Sequence, residues 1–198
     1  MAAVVNYMKG FTLIEMLVSV TIFSIVMVMA LGALLSLSVA DRKAETLKSG
    51  IDNLTFALDS MSRAIRTGQN YHCGDFAGTS PKNCPNGSTM LTFLASNGVQ
   101  TYYQLDTSTG TCGQSGTIGC IERKQTTPGG TLITDWTPIT SSDIIIQNVG
   151  SLFHVTGALP GSTPDTVQPR AVITISATLP VSTTQNTIVH MQTSVTRT

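Results

Sequence analysis

One uncharged, proline-free run constrains this chain more than anything else in it: MLVSVTIFSIVMVMALGALLSLSV, the 24 residues Met16–Val39. As a helix rising about 1.5 Å per residue, it is long enough to cross a hydrocarbon layer of about 30 Å. The apolar core of a cleaved signal peptide would be shorter, about 7–15 residues, with a small-residue cleavage site after it. Taken alone, the run also reads as a plain signal-anchor. Directly before it stands Glu15. An ionised carboxylate in hydrocarbon costs several kcal/mol unless something pairs with it. Such a residue is either a tolerated defect or a working part.

The helical reading continues past the apolar run. No proline occurs before Pro81, and in DRKAETLKSGIDNLTFALDSMSRAIRTG the residues Leu47, Ile51, Leu54, Leu58, Met61 and Ile65 recur at spacings of four and three. That spacing predicts an apolar stripe on one helix face, with Asp52, Asp59, Ser62, Arg63 and Arg66 largely away from it. Gly68 is the expected stop, and Arg63 and Arg66 suit the negative end of the helix dipole. Gly50 should weaken the middle by up to about 1 kcal/mol relative to alanine. One helix from about Phe11 to Thr67 is expected, membrane-embedded first and amphipathic second. It would span roughly 85 Å.

Beyond Gly68 the composition turns to Thr, Ser, Gly and Gln with few charges, which suits exposed β-structure in an extracytoplasmic compartment. Strands are expected at 90–95, 99–106, 118–125, 131–136, 143–149, 152–156, 171–179 and 187–196. In the seventh, Ile173, Ile175, Ala177 and Leu179 alternate with Thr174, Ser176 and Thr178, the pattern of a half-buried strand. In the last, Val189, Met191 and Val195 alternate with His190, Gln192 and Ser194. TSPKNCPNGS, TTPGGT and LPGSTPDT read as the loops between runs. Trp136 and Tyr102-Tyr103 read as core or cross-strand residues. The expected class is α+β, with an antiparallel sheet on the amphipathic helix face.

The four cysteines, Cys73, Cys84, Cys112 and Cys120, form no C-x-x-C and have no histidine at zinc-ligand spacing. All lie beyond the membrane segment, where single-pass topology would place an oxidising compartment. Of the three pairings that four cysteines allow, neighbour pairing is preferred here: Cys73 with Cys84, and Cys112 with Cys120. Each pair encloses a Gly-containing loop able to turn back. Crossed pairings and free thiols stay open.

Catalytic patterns are missing: no G-x-S-x-G, H-E-x-x-H, P-loop or G-x-G-x-x-G occurs. His72, His154 and His190 are far apart, and the aspartates lack calcium-loop spacing. With 11% charged residues and a formal net charge of zero, nucleic acid is not expected as a main partner. No metal, cofactor or enzymatic activity is expected.

The string KGFTLIEMLVSVTIFSIV, Lys9–Val26, resembles the processing signal of type IV prepilins and type II secretion pseudopilins. The resemblance rests on a short leader ending in Lys9-Gly10, on Phe11 after it, and on Thr12, Leu13, Ile14 and Glu15 opening an uncharged helix. It implies that a membrane prepilin peptidase cuts after Gly10 and methylates the new amino terminus on Phe11. It implies also that Glu15 pairs with the terminal amine of a neighbouring subunit during assembly. Two departures stand out: Lys9 is the leader's only basic residue, and Gly32 occupies a place where many major pilins carry a proline.

Downstream, LTFALDSMSRAIRTGQNY, YYQLDTSTG, CIERK, DIIIQNVGSLFHVTG and QPRAVITISATLPV follow the order of elements in J-type minor pseudopilins and W-type minor pilins. A length of 188 residues after the cut also looks large for a major subunit. The implied organisation is a leader at 1–10, a transmembrane and assembly helix at 11–39, an amphipathic helix at 40–68 and a β-rich head at 69–198. The implied function is a minor structural subunit that initiates or caps a filament of a type II secretion system or a type IV pilus. The other reading with the same anchor is a tip adhesin or cargo-binding subunit. Expected partners are the peptidase, other minor and major pilins or pseudopilins, and bacterial inner-membrane lipid before assembly. The head would lie in the periplasm or outside the cell.

Overall fold

The computed structural model describes residues 10–74, 80–107, 118–147, 151–158, 167–182 and 185–197. The fold is α+β: one long N-terminal helix, then an antiparallel β-region. Helix α1 is Leu13–Arg66. The chain divides into two compact units, Met1–Ala44 and Glu45–Thr198, and α1 contributes residues to both.

In the first unit the helical residues are solvent-exposed, apart from the half-buried Lys43. The apolar part of α1 is long and apolar enough to cross a membrane, and none of it is buried by the chain itself. Three of its hydroxyls, those of Ser19, Thr21 and Ser24, are satisfied locally. Ser19 Oγ donates to the Glu15 carbonyl at 2.7 Å and Ser24 Oγ to that of Val20 at 2.8 Å, the i−4 bonding that removes a polar cost in lipid.

In the second unit, Leu54, Ala57, Leu58, Met61 and Ile65 of α1 are buried in a shared core with the strands. The stripe differs from the expected one at a single step. Ile51 is 40% exposed, while Gly50 is buried. A Cβ at Gly50 would lie 2.7 Å from Leu179 Cδ2, so the glycine lets the helix pass close to that β9 side chain. The helix ends as glycine and a tyrosine dictate. Gly68 N–H donates to Ile65 O at 2.9 Å, and the buried Tyr71 hydroxyl lies 2.7 Å from both Ile65 O and Gly68 O. Carbonyls left over at the helix end thereby gain a donor. Burial pushes the Tyr71 phenol above its ordinary value, with the Arg197 charge acting the other way.

Ten strands follow among the described residues: β1 Gln69–Cys73, β2 Cys84–Ser88, β3 Met90–Leu94, β4 Gln100–Asp106, β5 Ile118–Thr126, β6 Leu132–Pro138, β7 Ile145–Gln147, β8 Phe153–Thr156, β9 Arg170–Ser182 and β10 Gln185–Thr196. Their order is β1-β3-β4-β5-β7-β9-β8-β2, with β6 added beside β5 and β10 beside β9. β9 and β10 pair along their whole length, from Arg170 with Thr196 to Ser182 with Gln185. Every pairing is antiparallel, as short connections allow.

Eight strands lie where alternation and turn clusters placed them, with shifted ends. β1 and β2 were not expected. β2 falls inside the cluster TSPKNCPNGS, because pairing with β8 and the disulfide at Cys84 override loop-like composition. Its irregular register between Cys84 and Ser88 accommodates Gly87 at φ +78°. β1 likewise breaks register between Gln69 and His72, where Asn70 takes φ +57°. On β9, Ser176 and Thr178 are buried rather than outward-facing. His190 Nδ1 lies 2.7 Å from Ser176 Oγ, and Gln147 Nε2 donates to Thr178 Oγ1 at 2.8 Å. Tyr103 is core, and Tyr102 meets Trp136 edge-on across strands at 6.5 Å between centroids.

Candidate functional site

The sequence places the candidate functional residues in the first turn of α1 and just ahead of it. Lys9 and the rest of residues 1–9 lie outside the described residues. Gly10, Phe11 and Thr12 precede the helix and are exposed, Phe11 to 78%. A Cβ at Gly10 would meet nothing within 4 Å. Among the described residues, neither packing nor a left-handed backbone calls for glycine there.

Thr12 starts the helix. Its Oγ1 accepts the Glu15 N–H at 3.3 Å, and its carbonyl accepts the Met16 N–H at 3.2 Å. Threonine at the N-cap with glutamate three residues later is the capping-box spacing, a signal already present in Thr12-Leu13-Ile14-Glu15 that the membrane argument passes over. The positive end of the helix dipole favours Glu15 here. Among the described residues its carboxylate has no ion-pair partner. Phe11, Leu13 and Ile14 around it are 70% exposed or more. The arrangement is a lone anion at the head of an uncovered apolar helix.

The cysteines belong to the head. Cys73 ends β1, Cys84 starts β2, and they are bonded with Cα atoms 6.1 Å apart. Since β1 and β2 are the two ends of the strand order, this bond joins the ends of the sheet path. Cys120 is buried in β5 and disulfide-bonded. Cys112 lies outside the described residues. The histidines are separate. His72 is buried in β1, His190 meets Ser176, and His154 ties β8 to β2 through Ser151 Oγ at 3.2 Å and the Pro85 carbonyl at 3.1 Å. No group of three or more metal-ligating side chains gathers among the described residues.

Comparison with known families gives one match, the prokaryotic N-terminal methylation motif, over residues 6–39. No curated protein and no solved structure matches the chain. The motif covers Gly10, Phe11, Glu15 and the apolar run, and it supports a type IV pilin-like, membrane-anchored chain. It points to a structural subunit rather than an enzyme, one processed by a prepilin peptidase and assembled with other pilins.

Proposed function

We propose that this chain is a minor pilin-like subunit that initiates or caps a pseudopilus or pilus filament, in a type II secretion system or a type IV pilus. Before assembly it is held in the inner membrane by α1, with the head on the periplasmic or outer side. The peptidase cuts between Gly10 and Phe11 and methylates Phe11. The carrying observation is the methylation motif over residues 6–39, which heads a helix that the chain itself leaves uncovered. Gly10 adds support, because nothing among the described residues asks for glycine at that position and an external enzyme would. The minor-subunit role rests on the order of head elements. We assign the second disulfide to Cys112 and Cys120.

Glu15 is assigned to the terminal amine of a neighbouring subunit. A carboxylate and an ammonium attract strongly at low dielectric, and each is costly there alone. Glu15→Ala and Glu15→Gln should therefore leave membrane insertion and head folding intact while assembly fails. Removing one member of a buried pair costs about 3–5 kcal/mol, roughly two to four decades in an association constant. Glu15→Asp should be intermediate. The test is crosslinking to co-expressed pilins beside a membrane-fraction blot, and wild-type association by the alanine variant would refute the assignment.

A further inference from the structure

Glu122 lies in the middle of β5, between β4 and β6, and only 1% of it is exposed. One carboxyl oxygen, Oε1, has no hydrogen-bond partner. The other, Oε2, accepts from Gln104 Nε2 across the β4–β5 pairing at 3.4 Å, a long bond. The charged groups facing it make ionisation harder. Asp106 of β4 and Asp135 of β6 are both negative and both act on it. Lys124, two residues along the same face of β5, is turned to the Trp136 ring, 5.7 Å from its centroid. No ion pair to Glu122 forms among the described residues. A buried carboxylate so placed must be neutralised, and no set of metal-ligating side chains surrounds it.

We propose that Glu122 is a proton-operated latch on β6: protonated, it lets β6 close on β5, and ionised, it loosens that strand. β6 is the neighbour able to yield. Among the described residues it pairs only with β5, with register irregularities between Arg123 and Gln125 and between Gln125 and Thr126. Opposite Glu122 stands Pro138, which has no N–H to add to the ladder. β4, by contrast, is held on both sides, by β3 and β5. Thr140 Oγ1 accepts the Ile121 N–H at 3.1 Å and Ile139 N–H reaches Ile121 O at 2.9 Å, so the chain just past β6 stays attached. That fixes the hinge end.

Burial, then the charges of Asp106 and Asp135, raise the Glu122 carboxyl above its ordinary value, while the Gln104 bond opposes this. The folded head therefore holds this proton more tightly than the unfolded chain. Its contribution to stability is full below the ordinary carboxylate range and is lost as pH rises through the raised value. Alkalinity loosens; acidity closes.

Trp136, on β6, is the only tryptophan in the chain and reports on the strand directly. The full chain in detergent micelles should show Trp136 emission and β6 amide exchange changing together with pH, at a midpoint above the ordinary glutamate range. Glu122→Gln should flatten both profiles and raise the urea midpoint at neutral pH. Asp135→Asn keeps an Oδ1 acceptor for the Trp136 backbone N–H, a 2.8 Å bond, and removes one repelling charge, so it should lower the pH midpoint. A Glu122→Gln profile that coincides with wild type overturns the latch. Should that variant fail to fold, an unchanged midpoint in Asp135→Asn overturns it equally.

Discussion

Among single residues, Gly50 and Tyr71 show most clearly what spacing alone could not say. Counting i, i+3 and i+4 steps finds Leu54, Leu58, Met61 and Ile65, all buried, but it treats glycine as a flaw and Ile51 as core. The stripe instead passes through Gly50, where only a hydrogen fits comfortably beside Leu179. Gly50→Ala should be nearly neutral, since a propensity gain of up to about 1 kcal/mol offsets the displacement of a flexible leucine end. Gly50→Val should cost about 1–3 kcal/mol by overpacking. Tyr71→Phe should cost about 1–3 kcal/mol, because the carbonyls of Ile65 and Gly68 lose a buried donor. Urea unfolding followed through Trp136 checks all three variants. Glu15, by comparison, was conspicuous in sequence, because a charge heading an uncharged helix needs a reason. What sequence reasoning left out is its local role, the Thr12 cap that fixes where the helix begins.

At the level of elements, the regular pieces were legible and the irregular ones were not. β9 and β10 declare themselves by strict alternation over long runs, and their full-length pairing follows. β1 and β2 carry no such signal. Gln69–Cys73 is short and broken in register, and Cys84–Ser88 holds a proline and a glycine. Tertiary constraints make them strands, chiefly the Cys73–Cys84 bond across an 11-residue separation. Replacing both cysteines with serine should cost about 2–3 kcal/mol by freeing the unfolded chain. Amide exchange should rise first in β1 and β2, as the ends of the strand order are no longer joined. Loss of protection spread evenly over β3, β4 and β9 would contradict that placement. The half-buried reading of β9 failed at Ser176 and Thr178 because their cover comes from polar partners, His190 and Gln147, which an apolar pattern cannot reveal.

For the molecule as a whole, two solvents in sequence explain the design. The first part of α1 is apolar on every side and uncovered, so it requires lipid or like helices. The later part is apolar on one side and buries that side in its own head. The proposed processing site stands ahead of both, exposed and without packing demands among the described residues. The most direct test of this account is the intact mass of the protein co-expressed with a prepilin peptidase. The account predicts loss of the ten leader residues and a single methyl group on the amino terminus of Phe11, with both suppressed in Gly10→Ala while the head remains folded. Wild-type protein that keeps its leader and an unmodified Phe11 under those conditions would contradict it.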